Sequence, residues 1–399
     1  MNAYFICKTN KAPLDYKCGE SIYFSAALTR DGKAVPCAKF RYTVTGDDKS
    51  RYCGETNGES GAFSLTLRLD VPGCIRINAT ALDENGDPLP ECDELCAGVG
   101  CELENALPYA TMPDGFYEFW DKFKRDVYAV EPEELSRVPV DCTEYPDFDI
   151  YDVTVKCAGS ADVRGILSIP KNAKINSLEA YVRYKGYGVV SAPIDPMPGK
   201  ITLWINAHGI KNLQPQEYYD ELAQGRLSRY GFDKTENSDP ETTYFHDMMM
   251  RATQATRYVA TLPESNGNVS VAGGSQGAFQ AMTAMATNDN VKYADVFVPW
   301  ICDIDADTLG RMAGDPPKGE AMRYYDQLMT AKRLAGRDVC VRITAGLGDD
   351  ICPPTGVYNM YRNLPCKKSI MFCQNKSHLY EAPEHDSIEY TENQKRGCK

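Results

Sequence analysis

From Tyr151 onward the chain keeps to one rhythm, a short apolar run followed by a turn and then by a segment with apolar residues at helical spacing. The runs are Tyr151–Lys156, Gly165–Ile169, Glu179–Tyr184, Ile201–Ala207, Val269–Ala272, Ala294–Val298, Val339–Thr344 and Ile370–Cys373. Between them Met248, Ala252, Ala255, Val259 and Leu262 make one helical stripe, and Ala278 to Ala286 is a helix of small residues. Several runs are apolar throughout instead of alternating. A strand can be apolar on both faces only when both are covered, which is the condition of a mostly parallel sheet flanked by helices. The pattern predicts an α/β architecture. A helix carrying Phe116, Phe119, Trp120, Phe123 and Val127 on one face opens it. Residues 211 to 243, polar and rich in Gln, Asp and Tyr, belong to no periodic element, and insertions of this kind often cap a site.

The first hundred residues obey a different rule. Phe63, Leu65, Leu67 and Leu69 alternate with Ser64, Thr66 and Arg68, the period of a half-buried strand. Ser21–Leu28, Phe40–Val44 and Ile75–Ala81 are further strand candidates, with turn signals at Asp31-Gly32 and Asn85-Gly86. This predicts an immunoglobulin-like antiparallel β-sandwich over residues 1–100. Pro88 to Pro113 is rich in Cys, Glu and Pro and lacks periodicity, so residues 101–113 are assigned to a linker and 114–399 to the α/β domain.

Forty-three Lys and Arg against 56 Asp and Glu leave a formal charge of −13 over 399 residues, without a compensating basic cluster. Such a surface repels phosphate backbones and anionic lipid, so nucleic acid is not an expected partner. No run approaches the roughly eighteen apolar residues of a membrane span, and Met1 to Cys7 lacks the pattern of a secretory leader. The 16 cysteines fit free thiols in a reducing cytoplasm better than a disulfide scaffold, because a chain this long builds its own cores. Cys74, Cys92, Cys96 and Cys101 match none of the usual zinc spacings and have no histidine nearby, so no metal is expected.

One motif carries chemistry. Gly273-Gly274-Ser275-Gln276-Gly277 falls between the run Val269–Ala272 and the small-residue helix. A turn from strand to helix this tight needs tiny residues two before and two after the serine, and both are glycine; the serine hydroxyl is then lifted above the sheet edge. The backbone N–H of Gln276 points at the helix N-terminus, where an oxyanion can sit. Such a serine needs a base and a carboxylate to hold it, and in this architecture the partners follow in the order Ser, Asp, His on later strand-end loops. Val339–Thr344 runs into Gly346-Leu347-Gly348-Asp349-Asp350, and Ile370–Cys373 into Gln374-Asn375-Lys376-Ser377-His378. Of four histidines, His246 starts a helix, His208 follows an earlier strand as a candidate substrate-site residue, and His385 lies seven positions beyond His378, which is the expected base.

These residues resemble the acetyl xylan esterase and cephalosporin C deacetylase family of α/β-hydrolases over roughly residues 112 to 390. The likeness rests on Gly273-Gly274-Ser275-Gln276-Gly277 and on Gly346-Leu347-Gly348-Asp349-Asp350-Ile351-Cys352-Pro353-Pro354, with weaker echoes in Val298-Pro299-Trp300-Ile301-Cys302-Asp303 and Tyr324-Tyr325-Asp326. The resemblance implies Ser275 as nucleophile, His378 as base, Asp349 rather than Asp350 as its orienting carboxylate, and the N–H of Tyr187 in Lys185-Gly186-Tyr187 as a second oxyanion donor beside Gln276. It also implies hydrolysis of acetyl esters of sugars or oligosaccharides without a cofactor, and ring-like homo-oligomers that an added sandwich can alter. The chain departs from the family at Asn206-Ala207-His208-Gly209, where an arginine is missing, at Leu379, where the family has Glu, and at Ala278, where it has glycine. A peptidase or acyltransferase of the same fold, and a silent carbohydrate-binding protein, are the alternatives that the residues leave open.

Overall fold

The computed structural model describes residues 2–311, 316–391 and 394–396, the last three through their backbone alone. Eight strands come first: β1 (Tyr4–Thr9), β2 (Ile22–Arg30), β3 (Lys33–Ala34), β4 (Lys39–Gly46), β5 (Arg51–Asn57), β6 (Ala62–Leu67), β7 (Gly73–Leu82) and β8 (Leu95–Cys101). They form two antiparallel sheets, one running β1-β2-β3 with β6 also against β2, the other β5-β4-β7-β8. Alternation builds them as expected: Ile22, Phe24 and Ala26 are buried while Tyr23 and Ser25 face out. The inward residues of both sheets share one core, in which Phe5 meets Phe40 edge-on at 5.7 Å and Phe63 meets Phe40 at 5.1 Å.

The aperiodic stretch from Pro88 to Pro113 corrects the sequence reading, because Leu95–Cys101 within it is strand β8 and all seven of its residues are buried. A strand covered on both faces shows no alternation, and Gly98, Gly100 and the two cysteines of this strand, Cys96 and Cys101, hide its apolar character.

The remainder is built around an 11-stranded sheet in the order β19-β18-β17-β16-β15-β14-β12-β13-β11-β10-β9. In chain order its elements are α1 (Phe116–Tyr128), β9 (Glu134–Pro139), β10 (Phe148–Val155), β11 (Val163–Pro170), β12 (Leu178–Tyr184), β13 (Lys200–Ile205), α2 (Gln216–Gln224), α3 (Tyr244–Thr261), β14 (Ser265–Gly274), α4 (Gln276–Thr287) and β15 (Val291–Phe297). There follow α5 (Gln327–Lys332), β16 (Cys340–Gly346), α6 (Pro354–Asn363), β17 (Lys367–Cys373), β18 (Ser387–Thr391) and β19 (Gln394–Arg396). The strands β13, β12, β14, β15, β16 and β17 are parallel neighbours, and antiparallel strands extend both edges. Helix α1 docks through its apolar face, and its Trp120 indole donates to the Tyr324 carbonyl at 2.9 Å. Because β12, β14, β16 and β17 run the same way, the loops leaving their C-terminal ends gather along one edge of the sheet, where α/β proteins place their chemistry.

Candidate active site

Ser275 stands between β14 and α4 with φ 55° and ψ −120°, a backbone conformation that L-residues rarely adopt. Its N–H donates to the Phe297 carbonyl at 2.9 Å, which ties the turn to the end of β15. The flanking glycines are steric necessities: a Cβ on Gly273 would lie 2.4 Å from the Gly277 carbonyl, and one on Gly277 2.3 Å from the Tyr184 carbonyl. Gly274, by contrast, has ordinary space for a side chain, its nearest neighbour being 3.8 Å away on Phe297. The close approach of helix to strand therefore demands the two outer glycines and leaves the middle one free.

Three side chains converge in a line. His378 Nε2 is 2.9 Å from Ser275 Oγ, and its Nδ1 is 3.1 Å from Asp349 Oδ2. Asp349 is fully buried, and its other oxygen accepts the N–H groups of Ile351 at 2.9 Å and Cys352 at 2.8 Å. A carboxylate can only accept, so Nδ1 carries the imidazole proton and Nε2 offers its lone pair to the serine hydroxyl. Asp350 is exposed and takes no part in this line, while His385 is turned away, with Nδ1 3.0 Å from the Ala382 carbonyl. His246 is a core residue whose ring meets Phe123 edge-on at 5.4 Å.

Facing the serine across the β12 loop, Gly186 lies against it, a Cβ built there being 3.9 Å from that of Ser275. The next residue, Tyr187, has an N–H that donates to no acceptor among the described residues, and the Gln276 N–H belongs to the first turn of α4, where helical amides have no intrahelical partner. One hydroxyl joins these two segments: Tyr230 O–H accepts from the Gly188 N–H at 2.9 Å and donates to Gln276 Oε1 at 3.0 Å. The Tyr230 ring stacks on Tyr187 at 4.4 Å, and burial holds its hydroxyl well above the ordinary tyrosine range, so it stays protonated. Tyr230 comes from the insertion 211–243, which the sequence left without structure.

His208, the candidate substrate-site residue, is corrected by its surroundings. It is buried and does not line the cavity beside Ser275. Its Nε2–H donates to the Gly188 carbonyl at 3.0 Å, and its Nδ1 accepts from the Tyr244 hydroxyl at 2.7 Å. Burial lowers its pKa to about 4, so the ring is a neutral brace behind Tyr230. In the same segment the buried Arg251 guanidinium donates to the Ala207 carbonyl at 2.9 Å, reaching it from α3.

A cavity of about 700 Å³ opens above Ser275 and His378. Its walls include Tyr187, Trp204, Arg229, Phe232 and Trp300. Phe232 and Arg229 again belong to the insertion, and no sequence motif marks them; only the general habit of insertions to cap sites pointed there. Among the described residues two groups bring three possible metal ligands together: Asp349, Cys352 and His378, and Cys373, Glu381 and His385. The first uses the residues already bonded to one another, and in the second Lys376 forms an ion pair with Glu381. Cys74, Cys92, Cys96 and Cys101 contribute to neither.

A family model described as acetyl xylan esterase (AXE1) matches residues 101–327 and 320–393. The acetyl esterase Axe7A of Xylanibacter ruminicola is 26% identical over 298 residues, an alignment covering 70% of this chain and 66% of that protein. The acetyl xylan esterase of Paenibacillus sp. R4 superposes with a TM-score of 0.58 at 21% identity, over 71% of this chain and 94% of its own. Acetyl xylan esterase 1 of Thermoanaerobacterium sp. JW/SL YS485 gives 0.57 at 18% identity with the same coverage. These superpositions establish an α/β-hydrolase-type fold, and the family match begins only where β8 ends.

Proposed function

Since the chain belongs to the acetyl xylan esterase family, a family of carboxylic ester hydrolases, we propose that it is a serine esterase removing small acyl groups, acetyl foremost, from sugars or related alcohols. The observation that carries this reading is the line Ser275, His378, Asp349 with hydrogen-bond distances of 2.9 and 3.1 Å. Ser275 Oγ attacks the ester carbonyl as its proton passes to His378 Nε2. Asp349 holds the imidazolium that forms, and the N–H groups of Tyr187 and Gln276 receive the oxyanion. His378 then returns the proton to the leaving alcohol, and a water deprotonated by His378 releases the acid from Ser275.

The cavity supports a sugar ester over a peptide. The flat rings of Tyr187, Phe232 and Trp300 suit the C–H faces of a pyranose, and the insertion 211–243 that contributes to the walls is polar, unlike the long apolar lid of a lipase. On this reading residues 1–100 form an immunoglobulin-like sandwich, 101–113 connect it and 114–399 form the catalytic unit, working in a cytoplasm that keeps its cysteines reduced.

The test is labelling of Ser275 by a fluorophosphonate, followed by kcat/KM on p-nitrophenyl acetate, butyrate and octanoate and on a peptide amide. One methylene in a snug pocket is worth about 1–3 kcal/mol, so acetate should exceed butyrate by roughly tenfold or more, with little turnover of octanoate or amide. A maximum at octanoate, or preference for the amide, overturns the acetyl-esterase reading.

A further inference from the structure

The edge strand of the sandwich meets the loops of the candidate triad directly. In the antiparallel pairing of β7 with β8, Cys96, Gly98 and Gly100 stand opposite Asn78, Arg76 and Cys74, and their N–H groups serve the outer edge of the strand. An open edge of this kind ordinarily invites a further strand. The Gly100 N–H donates to the Pro13 carbonyl at 2.8 Å, and at Gly98 and Cys96 side-chain amides take that place. The Gly98 N–H donates to Gln374 Oε1 at 2.9 Å while Gln374 Nε2 donates to the Gly98 carbonyl at 2.7 Å, so one side chain pairs with the glycine as a strand residue would. Next to it the Cys96 N–H donates to Asn375 Oδ1 at 3.0 Å, and Asn375 Nδ2 reaches across to the Phe5 carbonyl of β1 at 2.7 Å. Both side chains are buried.

Gln374 and Asn375 begin the loop that carries His378, and that loop is tied to the one carrying Asp349. Leu347 N–H donates to the Cys373 carbonyl at 2.9 Å and Gly348 N–H to the Lys376 carbonyl at 3.0 Å. The three backbones pass so closely that no side chain fits between them: a Cβ on Gly98 would lie 2.0 Å from the Leu347 carbonyl oxygen, and one on Gly348 2.0 Å from that of Cys96. A second strut runs behind: buried Asp47, paired with Arg76 at 2.9 Å, accepts from Thr355 in the first turn of α6, the helix that follows the Asp349 loop. Tyr380, two residues past His378, reaches Asp93 just before β8 at 3.1 Å.

We propose that the outer edge of β8 at Cys96 and Gly98 is a working part of the site, a clamp that sets the register of the Asp349 and His378 loops, with Gln374 and Asn375 as positioning residues. The proposal rests on the triad reading above, and it gives the sandwich a role within catalysis rather than beside it. The matched solved structures account for 71% of this chain, and the family match starts at residue 101, so the clamp is an addition to the part of the fold they share.

The test uses the 399-residue chain and three variants, Gln374→Met and Asn375→Ala on the loop side and Gly98→Ala on the strand side. Two readouts are taken: kcat and KM per serine titrated with a fluorophosphonate, and amide hydrogen exchange of residues 346–350 and 374–378. The expected result is a fall in kcat per titrated site of about 10- to 100-fold, the range seen when groups that orient a first partner are removed. KM should stay within about threefold of the parent, since the cavity walls are untouched, and exchange should quicken in both loops. A change that only destabilised the fold would reduce the number of titratable serines and leave kcat per site alone. Arg41→Ala, on an exposed face of the same sheet, should match the parent. Parental kcat per site together with parental exchange in all three variants overturns the clamp. If the parent itself neither labels nor hydrolyses, the esterase reading fails, while the exchange data still decide whether β8 holds the two loops.

Discussion

Strands β5 and β8 lie at opposite edges of the same sheet and could hardly differ more. β5 exposes Arg51, Tyr52 and Cys53 and among the described residues pairs only with β4, whereas every residue of β8 is buried. The first edge ends in water. The second ends against the α/β part of the chain, where the N–H groups of Gly98 and Cys96 are taken by Gln374 and Asn375. The contrast shows that burial of an edge strand on both sides reports an interface, and that this interface lies against the site rather than at a remote surface.

The largest effect expected concerns the line of three side chains toward which β8 is directed. Ser275→Ala and His378→Ala should each lower kcat/KM on p-nitrophenyl acetate by about 10⁴–10⁶-fold with unchanged melting curves, since such residues act as a unit. Asp349→Asn should cost about 10³–10⁴-fold, and Asp350→Asn, an exposed neighbour, less than about twofold. An inactive Asp350→Asn beside an active Asp349→Asn would break the assignment.

The strut behind the interface is the next place to press. Arg76→Ala leaves the Asp47 carboxylate buried without its cation, and loss of one partner from a buried pair costs about 3–5 kcal/mol. Urea unfolding should show that loss and, because Asp47 also holds Thr355, both parts of the chain should melt together. Removing Lys39 from its exposed pair with Glu55 should leave the urea midpoint where it was. Equal effects from the two substitutions would erase the contrast between the inner and outer edges.

A smaller effect tests the opposite wall of the site. Tyr230→Phe removes the hydroxyl joining Gly188 to Gln276, and kcat should fall about tenfold with KM little changed. Unchanged kcat would show that the Gly188 and Gln276 segments need no bridge.

The smallest is a pH slope. His208 has its pKa lowered to about 4 in the folded protein, below the roughly 6.5 of an unfolded chain. Between those values the unfolded state binds the extra proton, so the stability this residue contributes is complete above about pH 6.5 and is lost as pH falls toward 4. Melting temperature between pH 7 and 4.5 should therefore drop less steeply in His208→Gln, by about 2–4 °C over the interval. Parallel slopes would mean that the neutral buried ring adds nothing to acid sensitivity.

Much of this arrangement is legible in one dimension. The strands that flank Ser275, Asp349 and His378 are short runs of apolar residues whose burial follows from composition alone, and the elbow is legible because its outer glycines answer a local steric demand. Strands β9 and β18 show no such run for the opposite reason: toward the two ends of the sheet order, β9 is almost wholly exposed and β18 only partly buried, so neither needs an apolar stretch.

What the sequence by itself determined is what short-range chemistry can encode: an alternating first region, an α/β second region, the strand-serine-helix turn and the two loops from which an acid and a base can come. The tertiary structure alone decided that His208 is buried behind Tyr230 and away from the cavity, that the insertion 211–243 supplies Arg229, Tyr230 and Phe232 to the site, and that β8 is a strand at all. Each of these depends on groups far apart in the chain, 279 positions in the case of Cys96 and Asn375. A hydrogen bond or a close backbone approach between such groups leaves no periodicity in either segment, only a glycine or an amide whose reason lies in the other.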